Sequence, residues 1–436
     1  MTDGNITRHL ISYSVPLIFG NILQLTYNAV DSIVISKAAG ESALAAVSSS
    51  NPIMTIVILG VSGVSIGASV LMSQAYGAGD NGKLKRELST TIIAGAICSL
   101  AVFLIGEFLS PCILQAMNVP HEILSMADMY LRIVLIGFLF TFQYNIMTAA
   151  LRSIGDARTP VIFLAVSSIL NVILDILFVY SFHWGISGAA AATVISQALS
   201  AVLCFIHVYR HIPLLQIKKD EFTVDRQLLK ETVKSGSITA LQQSCQPIGK
   251  VLIQGVINAQ GITAIAAFNA VCRVDDFARI PEQSIGNGIM TCTAQNYGAG
   301  NKTRVRETFR KGMIIELCYF PIICILTLLF KTQLMQLFAP ANGKAMIAMG
   351  TAYLTVKALT FIMPGITNGM QGYFRGIGHM KITLAATIIQ ISIRTIAVFY
   401  LVPQLGITGE AYACLAGWLC MSVFGFIYYA SIRNKI

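Results

Sequence analysis

Charge is scarce in this chain. Asp, Glu, Lys and Arg together make 11% of the residues while hydrophobic types make 55%, and the mean hydropathy is +0.70. A soluble domain carries about 25% charged residues, so a water-soluble globule is excluded. Paired cysteine chemistry is lacking as well. The ten cysteines stand singly, with no Cys-x-x-Cys and no Cys/His pairing, which argues for reduced, packed thiols and against a disulfide framework or thiolate metal site. His9, His121, His183, His207, His211 and His379 all fall near expected loops or helix ends, which argues against a buried metal centre. No Ser/Lys, His-rich or nucleophile–base pattern is present, so a membrane-embedded enzyme is disfavoured. A cleavable signal is not expected either, because one Arg is followed by a helix too long for a signal's apolar region.

Long apolar runs take the place of these features. They lie near 10–36, 50–75, 88–108, 124–150, 160–182 and 186–209, then near 234–257, 270–295, 309–330, 346–373, 380–402 and 407–431. Each meets the roughly 20 residues a bilayer requires. The expectation is an all-α membrane protein of twelve transmembrane helices. With the N-terminus inside, the inner loops and tails hold 21 of the 30 Lys and Arg residues, and the outer loops hold only Lys37, Lys331 and Lys344. Arg132, Lys250, Arg273, Arg279, Lys357 and Arg394 fall within spans. That asymmetry places both termini in the cytoplasm. It also accounts for the net charge of +10 without a nucleic-acid partner.

The spans are written twice. Gln74-Ala-Tyr-Gly-Ala-Gly79 and Gln295-Asn-Tyr-Gly-Ala-Gly300 sit 221 residues apart and differ at one position. The same offset aligns Gly40-Glu-Ser-Ala-Leu-Ala-Ala46 with Gly261-Ile-Thr-Ala-Ile-Ala-Ala267, and Gly185-Ile-Ser-Gly188 with Gly406-Ile-Thr-Gly409. Six helices per repeat is an even number, so the two repeats share one orientation and are related by an axis along the membrane normal. The expected organisation is an N-terminal six-helix lobe at 1–209, a cytoplasmic linker at 210–233 carrying Lys218-Lys-Asp-Glu221, and a C-terminal lobe at 234–436.

Polar residues inside the spans form stripes. The first span carries Asn21, Gln24, Asn28 and Asp31 at 3-4-3 spacing, on one helical face. The fifth carries Ser168, Asn171 and Asp175, and the sixth carries Thr193, Gln197 and Ser200. Such faces avoid lipid and should line a cavity. Counted from the outer helix ends at 1.5 Å per residue, Asp31, Asp175, Thr193 and Tyr130 fall in one layer, on the order of 10 Å deep. Oxygen ligands at one depth suit a proton relay or a hard cation such as Na+, not a soft metal. Two carboxyls in a low-dielectric layer resist ionising together, which makes proton uptake and release feasible.

The second half does not repeat this set. Asp31 aligns with Leu252, and Asp175 falls within Ile396 to Val398. Candidates for a substrate cavity are Gln24, Asn28 and Gln197 in the first half, and Gln243, Gln246 and Glu282 in the second. Asp275 and Arg279 stand at i,i+4 and should form a neutral pair. Glu282, after Pro281, would face substrate or pair with Arg273 or Lys250. Pro16, Pro247, Pro281 and Pro364 should kink or loosen their spans.

These residues resemble the multidrug and toxic compound extrusion (MATE) family. The resemblance covers nearly the whole chain and rests on Val30-Asp31, the Gln-x-Tyr-Gly-Ala-Gly pair, Tyr130-Leu-Arg-Ile133, Leu151-Arg-Ser-Ile-Gly155 with Phe374-Arg-Gly-Ile-Gly378, and Gly188-Ala-Ala-Ala-Ala-Thr193. It implies a monomeric inner- or plasma-membrane antiporter without a cofactor, exporting organic cations and other drug-like compounds in exchange for H+ or Na+. It further implies cation coupling at Asp31, Asn171, Asp175, Thr193 and Tyr130. The NorM-type branch also uses carboxylates in its seventh and tenth spans; here the seventh has no acid and the tenth shows only Asn368 and Gln371 near its inner end, so the chain is more similar to the DinF-type or archaeal-type branch. The nearest rival is a lipid-linked sugar flippase of the wider exporter superfamily, which the acidic or neutral stripes of the first half disfavour.

Overall fold

The computed structural model describes residues 1–339 and 343–433. The side chains of Ser32 and residues 36–39, including the Lys37 counted as an outer cation, lie outside the described residues. Among the described residues there is no strand. The helices are α1 (Ile6–Ala39), α2 (Glu41–Gly77), α3 (Asn81–Ala116), α4 (His121–Ser153), α5 (Arg158–Asp175) with a π-helical extension (Ile176–Ser181), α6 (Gly185–His211) and α7 (Arg226–Asn258). They continue as α8 (Ile262–Gly298), α9 (Lys302–Gln336), α10 (Lys344–Thr360), α11 (Ile362–Gly376), α12 (Met380–Leu405) and α13 (Thr408–Ile432).

Among the described residues, nine helices are long and apolar enough to cross a bilayer, or ten if α10 and α11 form one broken span. The chain is thus a multi-pass membrane protein. The two that fall short, α7 and α8, are 33 and 37 residues long. Length is not what they lack. Lys230, Lys234 and Lys250 in α7, and the charged run from Arg273 to Glu282 in α8, lower their hydropathy. The tenth sequence span, read as one helix over 346–373, is instead bent by 42° between α10 and α11. Pro364 explains the bend: it has no N–H for the Thr360 carbonyl, and its ring crowds that carbonyl.

The chain forms two compact units, one of Pro16–Ala240 and the other of Met1–Val15 with Leu241–Ile436. In the first-half unit α4 is central, packed by α2, α3 and α6. The segment 210–240 belongs to this unit because it is tied to α3 and α2. Lys85 reaches Glu221 at 3.2 Å, Ser89 Oγ donates to the Thr223 carbonyl at 3.0 Å, and the Asp225 N–H donates to Thr90 Oγ1 at 2.9 Å. The Lys218 backbone N–H, and then Lys85, hold the Glu221 carboxyl below the usual carboxylate range. Gly63 lets α2 meet α7: a Cβ there would lie 2.6 Å from the Gly236 carbonyl oxygen. In the second-half unit α8 packs on α9, α10 and α11, and α12 on α13. The N-terminal stretch joins it through Arg304, which donates to the Met1 and Gly4 carbonyls at 3.0 and 3.1 Å, and through Tyr13, hydrogen-bonded to Thr291 at 2.9 Å. The units therefore divide at 15/16 and at 240/241.

The repeated hexapeptide is a helix stop followed by a helix start. Gly79 and Gly300 adopt φ of 73° and 69°, a left-handed conformation that favours Gly at a helix end. The next residues, Asp80 and Asn301, accept from the N–H of Lys83 at 2.8 Å and of Arg304 at 3.0 Å, capping α3 and α9. Gly300→Ala should cost about 1 kcal/mol by forcing a Cβ into left-handed backbone. A lowered thermal midpoint of the purified protein would show it, and an unchanged midpoint would refute the assignment.

Candidate functional site

Three helices of the first-half unit deliver the stripe residues to one place. Asp31 on α1 and Asp175 at the end of α5 bring their carboxyl groups close enough to interact electrostatically. Asp175 has no solvent exposure. No hydrogen-bond partner among the described residues satisfies either of its oxygens, and Asp31 Oδ1 is likewise buried without a donor. Two carboxylates in contact repel each other unless a proton or cation lies between them. Immediately after Asp175 the helix widens into the π-helical stretch Ile176–Ser181, a local irregularity often found at functional positions.

Further oxygens without partners lie on α5 and α6. Asn171 Oδ1, Ser168 Oγ and Gln197 Oε1 are buried without a partner. Thr193 donates its hydroxyl proton to the Ala189 carbonyl at 3.0 Å, so its oxygen lone pairs stay free to accept. Tyr130, buried on α4, lies within electrostatic reach of both aspartates. Buried acceptors left without donors cost free energy, and a small cation or a proton supplies what they lack.

Beside the pair opens a cavity of about 360 Å³ lined by Gln24, Tyr27, Asn171, Thr193, Gln197 and Arg152, among others. Gly137 leaves room for Gln197: a Cβ there would lie 2.5 Å from Gln197 Oε1. Asn28 is exposed and lines neither described cavity. Gln243, Gln246 and Glu282 lie in the second-half unit and also line neither. Gln246 Nε2 instead donates to Gln390 Oε1 at 3.3 Å. Glu282 is buried and makes no ion pair among the described residues; Lys250 pairs with Asp276 at 3.4 Å. Asp275 and Arg279 pair at 3.8 Å, as their spacing suggested.

Sequence reasoning passed over several residues here. Tyr27, one turn before Asp31 on the same face, interacts with that carboxyl, and i,i+4 spacing could have found it. Asn145 and Arg152 line the cavity from α4, where no regular polar stripe marks them. Glu316 on α9, buried with both oxygens lacking donors, has no counterpart in the first-half stripes.

A multi-pass helical protein with a buried acid pair beside a polar cavity belongs to the class of membrane carriers. The MatE family model matches residues 16–177 and 239–401. The chain belongs to this family of multidrug efflux transporters. It is similar to the probable multidrug resistance protein YpnP of Bacillus subtilis, with 28% identity over 89% of this chain and 86% of the relative. It is also similar to the multidrug export protein MepA of Staphylococcus saprophyticus, with 22% identity over 99% and 95% of the two chains. Its fold matches the outward-facing conformation of a multidrug resistance MATE family transporter of the MOP superfamily, with a TM-score of 0.91 and 22% identity over 99% of this chain and 97% of that one.

Proposed function

We propose that the protein is a secondary antiporter that exports cationic amphipathic compounds in exchange for H+ or Na+. It would work by alternating access, with twelve spans and both termini in the cytoplasm of the cell that carries it. The observation that carries this reading is the buried, interacting Asp31–Asp175 pair, set among buried oxygens that have no protein partner. Asn171 and Thr193 would complete an oxygen site, and Tyr130 would shape it.

In the outward-open state a coupling cation enters the carboxyl pair from outside. Neutralising the pair removes the negative charge that favours a cationic substrate in the neighbouring cavity, so the substrate leaves outward. Closure then carries the coupling cation inward. The scheme requires that each ligand bind the two states unequally. Gln24 and Gln197 supply polar contacts on the cavity wall.

Proteoliposomes with a pH gradient or a Na+ gradient imposed separately test it. One gradient should drive uptake of ethidium into vesicles in which the protein's outer face points inward. Equal ethidium flux with and without either gradient would overturn the antiport reading.

A further inference from the structure

The second-half unit contains a larger cavity, of about 550 Å³, and its chemistry is the opposite of the first. On one wall Lys357 and Arg394 converge on a single carboxylate. Arg394 Nε donates to Glu410 Oε1 at 3.1 Å, Lys357 Nζ lies 3.5 Å from Glu410 Oε2, and the Tyr353 hydroxyl donates to the same group. Lys357 is 3% exposed and Glu410 fully buried, so two buried cations share one anion. Arg279 is neutralised by Asp275 and Lys250 by Asp276. Arg273 also lines the cavity and forms no ion pair among the described residues.

Five cations therefore meet three carboxylates, and the site carries an excess of two positive charges. One of the two belongs to the buried Lys357–Arg394 pair, where an uncompensated cation is costly; the other is the exposed Arg273, and Lys and Arg offer donors only. An anion entering the cavity supplies both the missing charge and the missing acceptors. The remaining wall combines aromatic and apolar groups with the amides of Gln254 and Asn269. Trp418 has the Lys357 ammonium 5.2 Å and the Arg279 guanidinium 5.8 Å from its ring centroid, and Phe268 and Val271 lie on the same lining. The volume falls within the roughly 300–1,000 Å³ typical of small-molecule sites.

We propose that this cavity is a binding site for an aromatic organic anion, whose carboxylate or sulfonate meets Arg273, Lys357 and Arg394 and whose ring lies beside Trp418. The protein then has two sites of opposite polarity, and its ligands extend to anionic and zwitterionic amphiphiles. Binding here is measured without any ion gradient, so its outcome is separate from that of the antiport reading.

The chain has two tryptophans, so Trp184→Phe leaves Trp418 as the only indole and a reporter on the cavity wall. The full-length protein in neutral detergent is titrated with 2-naphthalenesulfonate and, in parallel, with 2-naphthylmethylammonium, which has the same ring system and the opposite charge. The sulfonate should quench Trp418 and bind on the order of tenfold tighter than the ammonium, as expected for a charge-assisted contact. Arg394→Gln, which leaves the Lys357–Glu410 pair neutral, should weaken sulfonate binding on the order of tenfold. Arg273→Gln removes an exposed, unpaired charge with little risk to folding and should weaken it in the same direction. Equal or tighter binding of the ammonium, absence of Trp418 quenching, or indifference to both substitutions would overturn the proposal. Displacement of the sulfonate by an equal concentration of dihexanoyl-phosphatidylglycerol would assign the site to a lipid headgroup and overturn the aromatic-anion assignment.

Discussion

Asp31→Asn is expected to abolish most gradient-driven efflux while leaving the protein folded. The substitution keeps the size of the side chain and removes one of two carboxylates that repel each other, so stability should hold or rise. What is lost is the charge change that links the coupling cation to the substrate. Coupling free energies between two sites typically amount to about 1–3 kcal/mol, or roughly 5- to 150-fold, and efflux in energised vesicles should fall by a factor in that range. Asp175→Asn should behave alike, since the two carboxyls interact and would share one coupling cation. For the same reason the double variant should be no worse than either single one, a non-additivity expected of groups in contact. Wild-type coupled efflux in Asp31→Asn would sink the mechanism. An additive double variant would show that the two acids act separately.

The first-half acid pair was legible because its information is local. Asp31 and Asp175 each end a stripe at helical spacing, and counting residues from the helix ends placed both at one depth before any packing was known. The structure adds that the two carboxyl groups interact, which requires knowing how α1 and α5 face each other. Other features depend on packing that no short window records. Pro16 lies inside α1 and Pro247 inside α7, yet the compact units divide near them. That division reflects which neighbours the helix ends find, Thr291 and Arg304 on one side, Glu87 and Gly63 on the other. The charged second-half cavity was hidden for a related reason. Lys357, Arg394 and Glu410 lie on α10, α12 and α13 and follow no common period, so in the sequence the two cations were isolated charges within spans. The second-half positions equivalent to Asp31 and Asp175 are Leu252 and Ile396 to Val398, so the repeat carries no pointer to these charges.

Glu410→Ala is expected to be the most destabilising single change in the second-half unit. Glu410 accepts from Arg394 and Tyr353 and faces Lys357, and none of its surface reaches solvent. Removing it strands two buried cations, and breaking a buried pair in this way costs about 3–5 kcal/mol. That is a large share of the net stability of about 5–15 kcal/mol that native proteins have. The folded yield in detergent should collapse, or the thermal midpoint should fall steeply. The asymmetry of the cluster gives a sharper comparison. Arg394→Gln takes away only the surplus cation and leaves Lys357 balanced by Glu410, so it should cost clearly less than Glu410→Ala although it alters the larger side chain. Replacing Lys357, Arg394 and Glu410 together by apolar residues of similar volume should restore much of the lost stability, since no charge is then left uncompensated. Such a triple variant would also lack any preference for 2-naphthalenesulfonate over its ammonium counterpart. If Glu410→Ala proved as stable as the parent chain, the two cations would have to be compensated by something other than this carboxylate, and the charge balance assigned to the cavity would fall with it.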